Sequence, residues 1–273
     1  MSVSTETVLE KIPELDTMNE EPGTKIITQK EVRDIKDRLT SVIDSCGFEC
    51  HPFKIGWYNE QVARCFHLPY HNDTLAFVAI STPGMFEKAF IPFLAKVDCL
   101  KINQDPIDQC MIQHLSAIKR EFSSTSIEII HDFELTPNKR PKILVQTAGH
   151  IAGAVRFYQR KDVTSDPWDP KKKVFGVCLH PIYGGWFALR GVVIFTRLQC
   201  PELPRQQPRE ILKTEEEVVE LLRRYNDRWH DWSFRDIIPV QEKYSEEQKE
   251  YFGTRPEDRK ILIERYQSLK NNI

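Results

Sequence analysis

The sequence predicts an α+β fold, and three observations carry that expectation. Apolar strand-like runs at 74–82, 126–135 and 174–195 do not alternate strictly with helical segments, as a doubly wound sheet would require. The 174–195 run is broken at Pro181–Gly185, which implies two strands paired antiparallel through a turn. No GxGxxG follows a strand and no GxxxxGK[ST] occurs, so the sequence gives no support to a dinucleotide-binding or P-loop fold.

The 273 residues suffice for one large core with extensions. Residues 1–27 are acidic and contain two prolines, and read as a loosely attached arm. Residues 28–273 read as a single domain with a helical C-terminal part. After Thr28, Val32, Ile35, Leu39, Val42 and Ile43 recur at helical spacing, and Gly47 is placed to close that helix in the left-handed conformation. A strand follows at 74–82, and Pro83 opens a helix carrying Met85, Phe86, Phe90, Phe93 and Leu94. Residues 105–122 are amphipathic at helical period, and 126–135 have strand composition. Residues 141–159 read as a buried helix with Pro141 in its first turn. Beyond the 174–195 pair, Pro201, Pro204 and Pro208 mark an irregular crossing segment. Thr214 and Glu217 form a capping box that starts a helix over 214–229. Ser245 starts another, and 256–270 is a third.

Composition narrows the partners. With 38 Lys+Arg against 40 Asp+Glu the net charge is −2, which argues against nucleic-acid or anionic-membrane binding. No window offers the roughly 18 uninterrupted apolar residues of a membrane span. Seven scattered cysteines without CxxC, and no secretory leader, predict reduced thiols and a cytoplasmic protein.

Metal and nucleophile signals are weak. Cys46, Cys50 and His51 lie together but need a distant fourth ligand to close a tetrahedral site. His67 and His71 are separated by Pro69, which prevents a helical pair, so no protein metal site is expected. GxSxG is absent, and Cys178 in an apolar strand reads as a small core residue able to line a pocket. Two segments are more unusual. Ala148, Gly149, Ala152 and Gly153 form a small-residue strip, which suits either tight helix–sheet packing or a large flat ligand. His150 lies on or beside it, with Gln146 one turn earlier. Arg190 sits in a strongly apolar strand, where burial demands a carboxylate from the protein or from a ligand. Trp229, Trp232, Phe234, Arg228 and Arg235 follow in RWHDWSFRD, a pattern suited to an anionic ligand or to packed aromatics with locally paired arginines.

Several long collinear strings, HDFELTPNKRPKILVQTAGHIAGAVRFYQRKDV, GVCLHPIYGGWFALRGVV, RWHDWSFRDIIPVQEKYSEEQKEYF, GFECHPFKIGWYNE and ISTPGMFEKAF, resemble the CblC-type cobalamin-processing family from about Val32 to Leu262. The resemblance implies a flavin-reductase/nitroreductase-like antiparallel sheet flanked by helices. It implies removal of the upper axial ligand of cobalamin, by glutathione-dependent dealkylation of alkylcobalamins and reductive decyanation of cyanocobalamin with FAD or FMN as reductant. A CblD-type trafficking protein and the methionine synthase system are its implied partners.

By matching position, the corrinoid contacts fall on Asp132, Ile143, Leu144, Val145, Gln146, His150, Phe157, Tyr158, Gln159, Cys178 and Leu189. Val145, Phe157 and Leu189 replace alanine, tyrosine and isoleucine of the family pattern. The glutathione arginines match Arg190, Arg235 and Arg259. Corrinoid enzymes that ligate cobalt through histidine carry DxHxxG. Here His150 and Gly153 are present but Ala148 stands at the aspartate, which predicts base-off binding without a His150 ligand. A non-catalytic cobalamin carrier and a flavin-dependent nitroreductase-like enzyme are the alternatives.

Overall fold

The computed structural model describes residues 23–97 and 105–270, so most of the expected arm lies outside the described residues. In chain order the first elements are β1 (Lys25–Ile26), α1 (Gln29–Ile43), β2 (Phe48–Lys54), α2 (Ile55–Asn59) and β3 (Thr74–Ser81). Then come α3 (Ile91–Leu94), α4 (Pro106–Glu121), β4 (Ile127–His131), α5 (Val145–Ile151), β5 (Arg156–Tyr158) and β6 (Val177–Leu179). The long β7 (Ala188–Gln199) and the helices α6 (Glu215–Arg228), α7 (Glu246–Gly253) and α8 (Lys260–Lys270) complete the chain.

β3 and β7 form the spine of a mixed sheet. β3 pairs antiparallel with β2 on one side and β7 on the other, and β7 carries β4 antiparallel and β1 parallel along its far edge. Every residue of β3 is buried, which is why its alternation is invisible in composition. Leu75, Phe77 and Ala79 face a helical layer in which α1, α4, α7 and α8 contribute Leu39, Leu115, Tyr251 and Tyr266. Ala76, Val78 and Ile80 face α2 and α5. A satellite core of Tyr158, Leu179, Leu221 and Phe234 joins the β5–β6 ribbon to α6.

Thr28 caps α1 with Glu31, and Thr214 caps α6 with Glu217, each by a reciprocal capping box. Gly47 takes φ +79° after α1, where a Cβ would lie 2.7 Å from the Met85 backbone.

Several expectations are corrected. Residues 174–195 are not one hairpin: β6 pairs with β5, whereas β7 pairs with β3 and β4. The break between them serves an isolated His180–Gly184 bridge. Residues 141–159 are not one helix, because α5 has seven residues and stops at Gly153, whose φ is +71°. Pro141 instead bridges Leu135. Phe48–Lys54, read with no element, is an edge strand whose Pro52 fits an edge. The sheet also begins inside the expected arm, at Lys25–Ile26, and Ile27 is buried. The helix expected after Pro83 opens with a wide turn, Phe86–Phe90, before α3.

One irregularity prepares the site. Ala79 pairs with Gly191 and Ile80 with Leu189, so Arg190 is the extra residue of a bulge on β7. Leu189 and Val192 thereby share the α5 face, and Arg190 turns to the opposite face, where its field reaches Asp108 and Cys110 of α4. Gly191 makes this possible: its φ is +140°, and a Cβ there would sit 2.3 Å from the Ile130 carbonyl oxygen.

Candidate active site

Two cavities adjoin, and Tyr225 of α6 lines both. The first, about 610 Å³, lies between α5, β5 and the segment after α2. Leu144, Gln146, His150, Phe157 and Gln159 of the expected corrinoid residues line it, with Val62, Phe66 and Phe175 adding apolar walls. The other expected contacts do not. The side chains of Ile143 and Val145 are buried in the α5 core, and the Tyr158 hydroxyl accepts the Ile211 and Leu212 N–H groups at 3.0 and 2.8 Å. Cys178 and Leu189 pack against the same core as Ile143, and burial raises the Cys178 thiol. Asp132 lies beside Arg190, its N–H donating to the Arg190 carbonyl at 3.2 Å.

The small-residue strip is a packing device. A Cβ on Gly149 would lie 2.9 Å from both Leu189 Cδ2 and Val155 Cγ2, while Ala148 and Ala152 are buried against the sheet. The strip faces the protein, and the cavity sees the opposite side of α5, through Gln146, Thr147 and His150. His150 Nδ1 accepts the Phe157 N–H at 3.3 Å, which assigns the neutral ring's proton to Nε2. Burial, then Arg156, lowers its pKa and keeps the ring neutral. With Nδ1 occupied as an acceptor, His150 presents an N–H donor and lacks the second carboxylate-type partner of a ligating histidine.

Cationic lining differs between the two cavities. Arg156 in the first is fully engaged, at 2.7 Å from Glu210 and 3.3 Å from Asp162. The second cavity, about 350 Å³, holds Arg190 and Arg235 among Trp229, Trp232, Phe234 and Tyr244. Arg190 is 8% exposed, donates through Nε to Ser81 Oγ at 2.9 Å, and has no described carboxylate within 4.0 Å. Arg235 lies 5.1–5.6 Å from the Trp186, Trp232, Phe234 and Tyr244 rings and donates to the Gly185 carbonyl, and its Nε is buried without a partner. Gly185 is required there, since a Cβ would meet Arg235 Cα at 2.7 Å. Arg259 stands apart: it pairs with Asp105 at 3.0 Å, donates to the Thr254 carbonyl and covers the Tyr251 ring. Of the arginines in RWHDWSFRD, Arg228 pairs with Glu220 at 3.4 Å, while Asp236 is held by Trp186 and Lys243.

The expected histidine–cysteine groupings separate. Cys50 points into the helical-layer core, where burial pushes its thiol up to about 12, and His51 projects from the other face of β2. There it joins Glu49 and His180. His180 Nδ1 accepts the Ile182 and Tyr183 N–H groups at 3.2 and 3.3 Å, so its Nε2 carries the proton toward Glu49 Oε1 at 3.0 Å. Glu49 is held near 2, its histidine hydrogen bonds outweighing the opposing effect of burial. Through His180 the grouping ties Glu49 of β2 to the 180–184 turn, an arrangement that sequence spacing did not reveal. Ser81, which aims Arg190, was likewise missed, because only the bulge brings β3 and Arg190 together.

Residues 47–263 match the model of the Methylmalonic aciduria and homocystinuria type C family. A chicken (Gallus gallus) protein named cyanocobalamin reductase / alkylcobalamin dealkylase is 52% identical over 229 residues, 84% of this chain and 95% of its own. The human protein of the same name is 45% identical, over 86% of this chain and 83% of its own. The crystal structure of a C. elegans B12-trafficking protein, CblC, superposes with a TM-score of 0.77 at 35% identity, covering 87% of this chain and 97% of that one. The chain belongs to the Methylmalonic aciduria and homocystinuria type C family.

Proposed function

We propose that this protein binds cobalamin and removes its upper axial ligand, acting as an alkylcobalamin dealkylase and a cyanocobalamin reductase. The observation that carries the reading is the pairing of a broad, half-apolar cavity with an adjoining pocket that holds two arginines free of carboxylates. A flat macrocycle with amide arms suits the first cavity, where Gln146, Gln159 and the His150 N–H can meet amide groups. Arg190 and Arg235 suit the carboxylates of glutathione, and their field favours its thiolate.

The bound thiolate attacks the cobalt-bound alkyl carbon. A sulfur–carbon bond forms, the cobalt–carbon bond breaks, and both of its electrons stay on cobalt, giving cob(I)alamin and a thioether. Decyanation adds one electron to Co(III), and cyanide leaves as the anion. Reduced FAD or FMN is the proposed donor, acting from solution. The glycines near the cavities do not fit a resident flavin: a Cβ on Gly176 would lie 2.5 Å from Phe157 Cε2, and Gly185 lies under Arg235. Neither leaves open backbone for a phosphate.

Cytoplasmic action, hand-over to a CblD-type protein and methionine synthase, and a nitroreductase-like ancestry of the sheet complete the proposal. Among the described residues no helix is long and apolar enough to cross a membrane. Anaerobic incubation of the full chain with methylcobalamin and glutathione tests the central reaction. Cob(I)alamin and S-methylglutathione are expected in equal amounts; cobalamin that binds but keeps its methyl group would favour the carrier reading.

A further inference from the structure

Glu49 and His180 line neither of the two cavities, and the proposed chemistry uses neither. They nevertheless form a charged contact, with the buried His180 bringing its Nε2 to 3.0 Å from Glu49 Oε1. His51 Nε2 stands farther off, 3.6 Å from Oε2. Desolvating such a pair offsets much of its attraction, so stability alone is a poor account of it. Its position gives a better one. Glu49 pairs with Ile80 of β3, and Ile80 with Leu189 of β7, so Glu49 stands level with the Arg190 bulge. Through His180 the turn between β6 and β7 is held to β2, two strands away from β7. Among the described residues this is the only ion pair of the 180–186 segment. That segment seats Arg235. His180 and Gly184 exchange backbone hydrogen bonds of 2.8 and 3.0 Å, which closes the turn. The Gly185 N–H then donates to the Arg235 carbonyl at 3.1 Å, and the Gly185 carbonyl accepts from the Arg235 guanidinium. Trp186 Nε1 donates to Asp236 at 2.7 Å. A Cβ on Gly184 would lie 2.8 Å from the Arg235 carbonyl oxygen, so the two backbones cannot shift independently.

We infer that Glu49 and His180 are positioning residues for Arg235: the carboxylate fixes the imidazole, the imidazole fixes the turn, and the turn aims the guanidinium into the smaller cavity. The inference rests on the thiol-dependent reading only for what Arg235 receives; the positioning itself needs no ligand. Each link has its own chemistry. His180 Nδ1 accepts the Ile182 and Tyr183 N–H groups, so Nε2 carries the proton and only an acceptor can hold it. A carboxylate does so with a charge, an amide oxygen more weakly, and an apolar side chain not at all. Arg235 has little else to aim it. Its Nε is buried without a partner, and the four rings at 5.1–5.6 Å surround the guanidinium without supplying a directed bond. Tyr183 stacks on His180 at 4.6 Å and packs against the α5 core, which keeps the turn folded when Glu49 is replaced.

The test compares the full chain with its Glu49→Gln and Glu49→Leu variants. Hydrogen exchange of the Gly185 amide, followed without ligands, should be at least about tenfold faster in Glu49→Leu and near parental in Glu49→Gln. The amides of β3 should keep their protection in both. With methylcobalamin as substrate, Glu49→Leu should raise the KM for glutathione at least about tenfold, leaving kcat and cobalamin affinity within about threefold. Glu49→Gln should bring that KM back toward the parent. Unchanged Gly185 exchange in Glu49→Leu, or a Glu49→Gln variant as impaired as Glu49→Leu, would overturn the inference. Loss of β3 protection or of folding in Glu49→Leu would make the pair a structural one and overturn it too. Faster Gly185 exchange beside a parent that does not dealkylate methylcobalamin would support the positioning and sink the thiol reading; normal dealkylation with parental exchange in Glu49→Leu would do the reverse.

Discussion

The two cavities share a wall but are held together in opposite ways. Around the larger one several polar groups are already paired: Arg156 has two carboxylates, the Tyr158 hydroxyl takes two N–H groups, and His150 Nδ1 accepts from Phe157. Its shape comes from packing, with Gly149 letting Leu189 and Val155 close against α5. Around the smaller one, Arg190 has Ser81 but no described carboxylate within 4.0 Å, and Arg235 Nε is buried without a partner. A cargo with fixed shape and little charge needs a preformed bed, whereas a small charged co-substrate supplies the missing half of an electrostatic pocket. The same chain thus invests stability in one cavity and withholds it in the other.

The contrast breaks first at Arg235. Replacing it with alanine should cost about 2 kcal/mol or more of thiol recognition, some thirtyfold in kcat/KM for glutathione. Cobalamin affinity, followed by absorbance titration, should change by less than about threefold.

Gly149→Val probes the other side. Overpacking against Leu189 and Val155 should lower stability by about 2 kcal/mol, with a thermal midpoint several degrees lower and weaker cobalamin binding.

Asp108 sharpens the account of withheld stability. Unfolded, its carboxyl ionises near 3.8; folded, it keeps its proton to about 6. The native state then binds the extra proton between those values, so stability falls as pH rises through them. Asp108→Asn removes that fall. Urea midpoints should show its advantage growing between pH 4 and pH 6, reaching about 1 kcal/mol at pH 7 once partial solvent screening is counted.

His150→Ala should be the mildest, a loss of about 1 kcal/mol of cobalamin binding for one hydrogen bond. The spectrum of bound cobalamin should show no nitrogenous lower ligand in either protein. Such a ligand, present in the parent and lost in the variant, would contradict the Nε2–H assignment.

Much of this was legible in the residues. The capping box at Thr214 located α6, because a cap is a local hydrogen-bonding pattern, and the apolar period after Thr28 located α1. Arg190 in an apolar strand announced a missing carboxylate, and the structure leaves it missing. What could not be read was non-local. Residues 141–159 hold an apolar period that suits a helix, but Gly153 ends it and β5 finds its partner in β6. The small strip at Ala148–Gly153 has the same spacing whether it faces a ligand or a sheet, and only Leu189 decides. Likewise the bulge that turns Arg190 toward α4 depends on the β3 register, which no window of β7 contains.

The division of labour is tested most directly on one protein, the Arg190→Ala/Arg235→Ala variant preloaded with methylcobalamin. Its cobalamin affinity and bound spectrum should match the parent within about threefold. At subsaturating glutathione, anaerobic formation of cob(I)alamin should be at least about a hundredfold slower. An unchanged rate, or cobalamin binding lost along with the rate, would contradict the assignment of cargo and thiol to separate cavities.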